Sequence, residues 1–151
     1  MSTSFSSRRR GCLVEWGHMT WEEWHAFITT HLTMPVVEET ADDGATWFTS
    51  GDPGEVMVRL KGTSIAVFEY SVDRQGRRAV VMPLRVGSLR SRDIDDTRAM
   101  SIVAALIDAT RERRTARFQT CVYCDRRTPP EWMADDRACR TCGGEHRGAV
   151  H

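Results

Sequence analysis

The stretch Cys121-Val-Tyr-Cys124, followed by fourteen residues and then Cys139-Arg-Thr-Cys142, decides how this chain is read. A C-x2-C pair curls the backbone so that two sulfurs face one point. The segment between the pairs then folds over to bring the second pair in. Two such pairs at this separation make a four-thiolate metal site, with tetrahedral Zn2+ as the expected ion and Cys121, Cys124, Cys139 and Cys142 as its ligands. A piece this short buries too little apolar surface to fold alone, so metal binding supplies its folding free energy. Gly143 and Gly144 follow the second pair, where tight curvature around a thiolate favours residues without a Cβ. The zinc is read as structural, because four sulfurs close the shell and a catalytic zinc keeps one position open.

On these four cysteines and the glycine pair, residues 121–142 resemble the zinc-ribbon class of four-cysteine modules. The rest of the chain carries no family resemblance. The resemblance implies a structural metal and a place in nucleic-acid or protein-assembly machinery. The competing readings are two unrelated thiol pairs, disulfides in an exported protein, or iron in a rubredoxin-like shell. His146 lies four residues beyond Cys142, within reach as a substitute ligand, although four thiolates already suffice.

Within the module, Thr128-Pro129-Pro130-Glu131-Trp132-Met133 is the one loop with a large apolar pair. Exposed, Trp132 and Met133 form a contact hot spot for a protein partner. Turned inward, they cover the thiolates in place of a core. Thr115–Thr120 links the module to what precedes it and is too short for a free tether, so the ribbon packs on the body or stands just off it.

Working outward, a long helix is expected from about Asp93 to about Arg114, with Ala99, Ile102, Val103, Leu106, Ile107 and Thr110 as its apolar stripe. Asp93, Asp95 and Asp96 at its start and Arg111, Arg113 and Arg114 at its end complement the helix dipole. Mg2+ on the acids and phosphate on the arginines are the ligand-based alternatives. Before it come five runs of strand character: Val36–Thr40, Thr46–Ser50, Glu55–Lys61, Ser64–Val72 and Arg78–Val86. Tight turns separate them, which implies an antiparallel meander. None of the turns has the spacing of a phosphate-binding loop. A first helix is signposted by Thr20 and Glu23 as a capping box and by Met19 with Trp24 as a hydrophobic staple. Trp24, Phe27, Ile28, His31 and Leu32 then repeat at helical spacing until Pro35 stops the helix. His25 and His31 are six apart, on different faces, and read as ordinary histidines.

The fold class expected is therefore α+β: an antiparallel sheet of four or five strands flanked by two helices, with a C-terminal four-cysteine zinc ribbon. The divisions are a flexible arm over 1–15, an α+β domain over 16–115 and the ribbon module over 116–151. An apolar fraction of 40% with 28% charged residues suits a globular chain. Ser7-Arg8-Arg9 hints at a twin-arginine export signal, but no apolar run follows it. With no transmembrane run and four of five cysteines in a metal pattern, leaving Cys12 single, the location expected is cytoplasmic. Lys61 is the sole lysine among 21 basic residues, which we read as the codon bias of a GC-rich bacterial genome.

Net charge is zero but unevenly spread. Residues 1–10 carry +3, residues 11–58 carry −9, residues 59–118 carry +6 and residues 119–151 carry 0 before the metal site is counted. No nucleophile–base set occurs in a recognised setting, and the deaminase signature is missing. Catalysis by residues scattered in sequence stays open. Three readings follow. The first is a non-catalytic adaptor or regulatory protein, with a protein partner, no membrane, and Trp132 and Met133 as contacts. The second is a nucleic-acid accessory factor that uses Arg59, Lys61, Arg74, Arg77, Arg78, Arg111, Arg113, Arg114 and Arg117 on phosphates. The third is an enzyme whose site has no sequence motif.

Overall fold

The computed structural model describes residues 18–76 and 78–144. The 1–15 arm with Arg8–Arg10 and Cys12, together with Arg77 and His146, lies outside the described residues.

Helix α1 spans Trp21–His31. Its capping box is complete: the Glu23 N–H donates to Thr20 Oγ1 at 3.1 Å and the Thr20 N–H donates to Glu23 Oε1 at 2.8 Å. Two otherwise orphaned donors are thereby satisfied. Trp24 and Ile28 turn inward, and Leu32 closes the helix in an extended conformation before Pro35 is reached.

Five strands follow in one antiparallel sheet: β1 (Val36–Thr40), β2 (Thr46–Ser50), β3 (Val56–Lys61), β4 (Ser64–Glu69) and, after an excursion, β7 (Leu84–Arg90). Their order is β1-β2-β3-β4-β7. The excursion is a separate hairpin of β5 (Val72–Gln75) and β6 (Arg78–Val81). Here the sequence expectation is corrected twice. Ser64–Val72 is cut at Glu69, and Arg78–Val86 is not one strand but the end of the small hairpin and the start of β7. Pro83 lies at the break, where its missing N–H cannot serve a ladder. The core sheet accordingly gains Leu84–Arg90 as its edge.

Alternation places Val56, Val58 and Leu60 of β3 with Ile65 and Val67 of β4 on the helix-facing side. Met57, Ala66 and Phe68 make a smaller cluster with Trp47 and Tyr70 on the other.

A 3-10 turn, Ser91–Asp93, leads to helix α2, Asp96–Ala116. The start lies later than Asp93 because Asp95 is the cap, its Oδ1 accepting the Arg98 N–H at 2.9 Å. Ala99, Val103, Ile107, Thr110 and Arg114 are its buried face, a repeat at spacings of three and four. Ile102, expected in that stripe, is 43% exposed. Leu106 is partly buried and packs against β7 at Gly87. A Cβ at Gly87 would lie 2.9 Å from the Leu106 side chain, so glycine is what lets the helix settle there. No helix among the described residues is long and apolar enough to cross a membrane.

Candidate metal centre

Just past α2 the chain forms the two-residue strands β8 (Gln119–Thr120) and β9 (Arg127–Thr128), which pair antiparallel around the first cysteine pair. The Cys121 N–H donates to Arg126 O at 3.0 Å and the Asp125 N–H to Cys121 O at 2.9 Å. This turn carries Asp125 into the left-handed region, with φ 63°. Asp tolerates that region better than most residues, though less well than glycine.

A Met133–Cys139 bridge and an Ala134 N–H to Ala138 O bond of 2.8 Å close the loop ahead of the second pair. Asp135 Oδ1 accepts the backbone N–H groups of Arg137 (2.8 Å) and Ala138 (2.9 Å) at its tip. A helical turn opens at Arg140. The role expected for Gly143 changes. It is needed for space rather than for curvature, since a Cβ there would meet the Ala134 Cβ at 2.8 Å, whereas Gly144 has nothing within 4 Å.

The four Sγ atoms of Cys121, Cys124, Cys139 and Cys142 all lie within 4.8 Å of one another. Cys124 Sγ and Cys139 Sγ are 3.9 Å apart. A tetrahedron of 2.3 Å zinc–sulfur bonds has edges of about 3.8 Å, so the donors fit a four-thiolate ion of that size. Backbone N–H groups point at the sulfurs as well. Tyr123 and Cys139 donate to Cys121 Sγ, each at 3.4 Å, and Cys142 donates to Cys139 Sγ at 3.5 Å. Such donors favour thiolate over thiol.

The Cys139 N–H, foremost, holds Cys121 down at about 6 against the opposing effect of burial. Hydrogen bonding to Cys139, then burial and the other neighbouring sulfurs, pushes Cys142 up to about 12. One sulfur therefore ionises readily and another resists. A dication placed among them removes that resistance, so binding expels protons.

Successive residues of the Pro130–Trp132 3-10 turn and its cap point three ways. Met133 turns inward onto Cys121, Cys139 and Cys142. Trp132 turns outward and is 49% exposed. The apolar pair is thus divided, one residue as cover and one as surface. Glu131 turns toward the body, where its carboxylate takes both terminal nitrogens of Arg114.

Arg114 is 2% exposed. Its Nε donates to Gly54 O at 2.9 Å, and its guanidinium lies over the Tyr70 and Phe118 rings at 5.3 and 5.1 Å. Burial, ahead of the Glu131 charge and offset by Arg114, raises Tyr70 above the ordinary phenol value. Arg140 Nε and Arg127 Nη2 add bonds to Glu131 O (3.1 Å) and Thr115 O (2.8 Å). Arg114 and Arg127 thereby fasten the four-cysteine module to the body, and Arg140 braces Glu131 from within the module. Arg114 reads in sequence as part of a basic helix end; its place in the buried stripe was the available signal. Nothing local marked Glu131 as its partner.

The other basic residues named for phosphate contact are placed as follows. Arg59 and Lys61 face Asp43 at 3.8 and 3.5 Å. Arg111 meets Glu55 and Asp108 and donates to His31 O at 2.9 Å, at the C-terminal end of α1. Arg113 and Arg117 both reach Glu69, a carboxylate only 1% exposed at the end of β4. Arg74 lies 3.5 Å from Glu131 O. Arg74 and Arg78 have no carboxylate at ion-pair distance among the described residues. His25 pairs with Glu38 at 2.8 Å, and His31 stacks on Phe27. Comparison of the chain with protein-family models, curated proteins and solved structures finds no match in any of the three.

Proposed function

We propose that this chain is a small non-catalytic adaptor that holds structural Zn2+ and works through protein–protein contacts around Trp132. The observation that carries the reading is the division of one short turn. Met133 seals the four-sulfur cluster while its neighbour Trp132 stands half-exposed beside it. Four thiolates fill a tetrahedral shell and leave no position for a substrate. The metal then does mechanical work: it fixes the ribbon and so fixes the angle at which Trp132 is shown. Aromatic residues held this way on a rigid support are the usual anchors of protein interfaces. Thiolates that must stay reduced suit a cytoplasmic setting.

Two substitutions test the reading. Cys139→Ser should lower bound zinc and loosen the C-terminus together, and unchanged metal stoichiometry would sink the structural-zinc assignment. Trp132→Ala should leave fold and metal content intact and weaken capture of a partner protein, and unchanged capture would take this surface out of the interface. The nucleic-acid reading keeps one favourable observation, the carboxylate-free Arg74 and Arg78. Binding to random-sequence duplex whose log affinity falls with log salt at about −0.9 per phosphate would promote it.

A further inference from the structure

Between the ribbon and the Asp52-Pro53 turn of the body lies an open cleft of about 520 Å³, lined by Arg126, Arg127, Arg140, Trp132, Asp52 and Thr141 among others. Its three arginines are exposed. None has a carboxylate at ion-pair distance among the described residues, whereas Arg111, Arg113, Arg114 and Arg117 of α2 all do. Three guanidinium groups without a carboxylate partner among the described residues therefore meet at this one recess.

Two of the three guanidinium groups are also pre-positioned. Arg127 is tied through Nη2 to Thr115 O and Arg140 through Nε to Glu131 O, which leaves their remaining N–H groups free to donate. A group held in place before binding loses less entropy on binding. A second recess of about 230 Å³ shares Trp132 and Arg140 with the first and has Tyr70, Val72, Ala79 and Val81 in its walls, together with Arg74 and Glu131. Trp132 thus stands between a basic recess and one that offers an apolar wall.

We propose that this paired recess binds an acidic segment of a partner protein, with carboxylates on Arg126, Arg127 and Arg140 and an adjacent apolar side chain lodged beside Trp132. The proposal rests on the adaptor reading and names its partner by chemistry. Guanidinium groups suit carboxylates through paired N–H donors, and Trp with Arg is the composition of interface hot spots. An acidic segment fits better than a nucleic-acid strand for two reasons. Trp132 is the single aromatic of the basic recess, where strand binding uses successive stacking platforms. Net charge is also zero, with −9 on residues 11–58, so three arginines can answer a short acidic segment locally while no broad positive field draws in a long strand.

The test uses the zinc-loaded full chain and three fluorescein-labelled probes, read by anisotropy. They are a peptide with a glutamate run beside a phenylalanine, the same peptide with glutamines, and an oligothymidylate of matched length. The glutamate peptide should bind saturably and the glutamine peptide should not. Arg126→Glu with Arg140→Glu, and separately Trp132→Ala, should each weaken binding about tenfold or more at unchanged zinc content. Equal binding of the two peptides, indifference to the arginine changes, tighter binding of the oligothymidylate through the same arginines, or self-association in place of peptide binding would each overturn the proposal. Partner capture separates this failure from failure of the adaptor reading. Capture lost in Trp132→Ala but kept in the double arginine variant overturns only the acidic class. Capture indifferent to Trp132 removes the adaptor surface itself.

Discussion

The sheet–helix body and the ribbon are two answers to one problem, how to hold a chain without leaving its interior wet. The body buries Trp24, Ile28, Phe48, Val58, Ile65, Val103 and Ile107 in one continuous core. Each fully buried large side chain contributes about 1.5–3 kcal/mol. The ribbon's buried cluster is Cys121, Cys139, Cys142 and Met133, with Cys124 packed against it. With a metal on the four sulfurs, its cohesion is chemical rather than areal. The joint between them is different again: an ion pair, Arg114–Glu131, whose side chains are 3% and 9% exposed. Apolar burial is tolerant and metal ligation is all-or-none. A buried charge pair is costly to form but more costly to break.

Removing the metal should open the widest gap between the two regions. Structural zinc contributes about 10–16 kcal/mol in small modules at neutral pH. A chelator, or Cys139→Ser, should make residues 119–144 protease-sensitive while hydrogen exchange in β3, β4 and α2 stays slow. Simultaneous loss of both would mean that the body also depends on the metal. Acid should act in the same direction. The metal-loaded sulfurs bind fewer protons than the free ones, and Cys142, pushed up to about 12 without metal, must give up its proton to bind. Lowering pH therefore favours the metal-free form, and zinc release followed with a colorimetric chelator should rise as pH falls.

Breaking the joint comes next. Glu131→Ala leaves Arg114 buried and short of its charge partner, a loss of about 3–5 kcal/mol. Zinc content should hold while exchange protection at the α2 C-terminus falls. Ile107→Ala should cost the body about 2–5 kcal/mol in denaturant unfolding, again without loss of zinc, because its cavity opens far from any sulfur in the core cluster. The smallest effect expected is a gain. Asp125→Gly relieves a left-handed residue at φ 63° by about 1 kcal/mol, seen as slower zinc loss to a competing chelator. Faster loss would mean that the Asp125 side chain itself supports the turn.

Local devices were legible in the sequence because their partners sit a few residues apart. The Thr20–Glu23 box and the two C-x2-C knuckles belong to this group, since a pattern of three or four residues contains all of their chemistry. Boundaries fared less well. Arg78–Val86 reads in sequence as one strand across Pro83, yet the chain leaves one ladder and enters another inside it, and pairing with Ser64–Glu69 selects Leu84–Arg90. Arg111, Arg113 and Arg114 look alike as a basic helix end, although their carboxylates are Glu55 with Asp108, Glu69 and Glu131 respectively.

By itself, then, the sequence determined that this chain has an α+β body with a four-sulfur site near its end, because periodicity and ligand spacing are properties of short windows. Tertiary structure alone decided which charges are used up and which are left over. Arg114 meets Gly54 from 60 positions away and Glu131 from 17, and that choice turns Glu131 inward, Trp132 outward, and leaves Arg126, Arg127 and Arg140 together at an open cleft. Long-range neutralisation depends on which elements pack side by side, and no short window of sequence contains that fact.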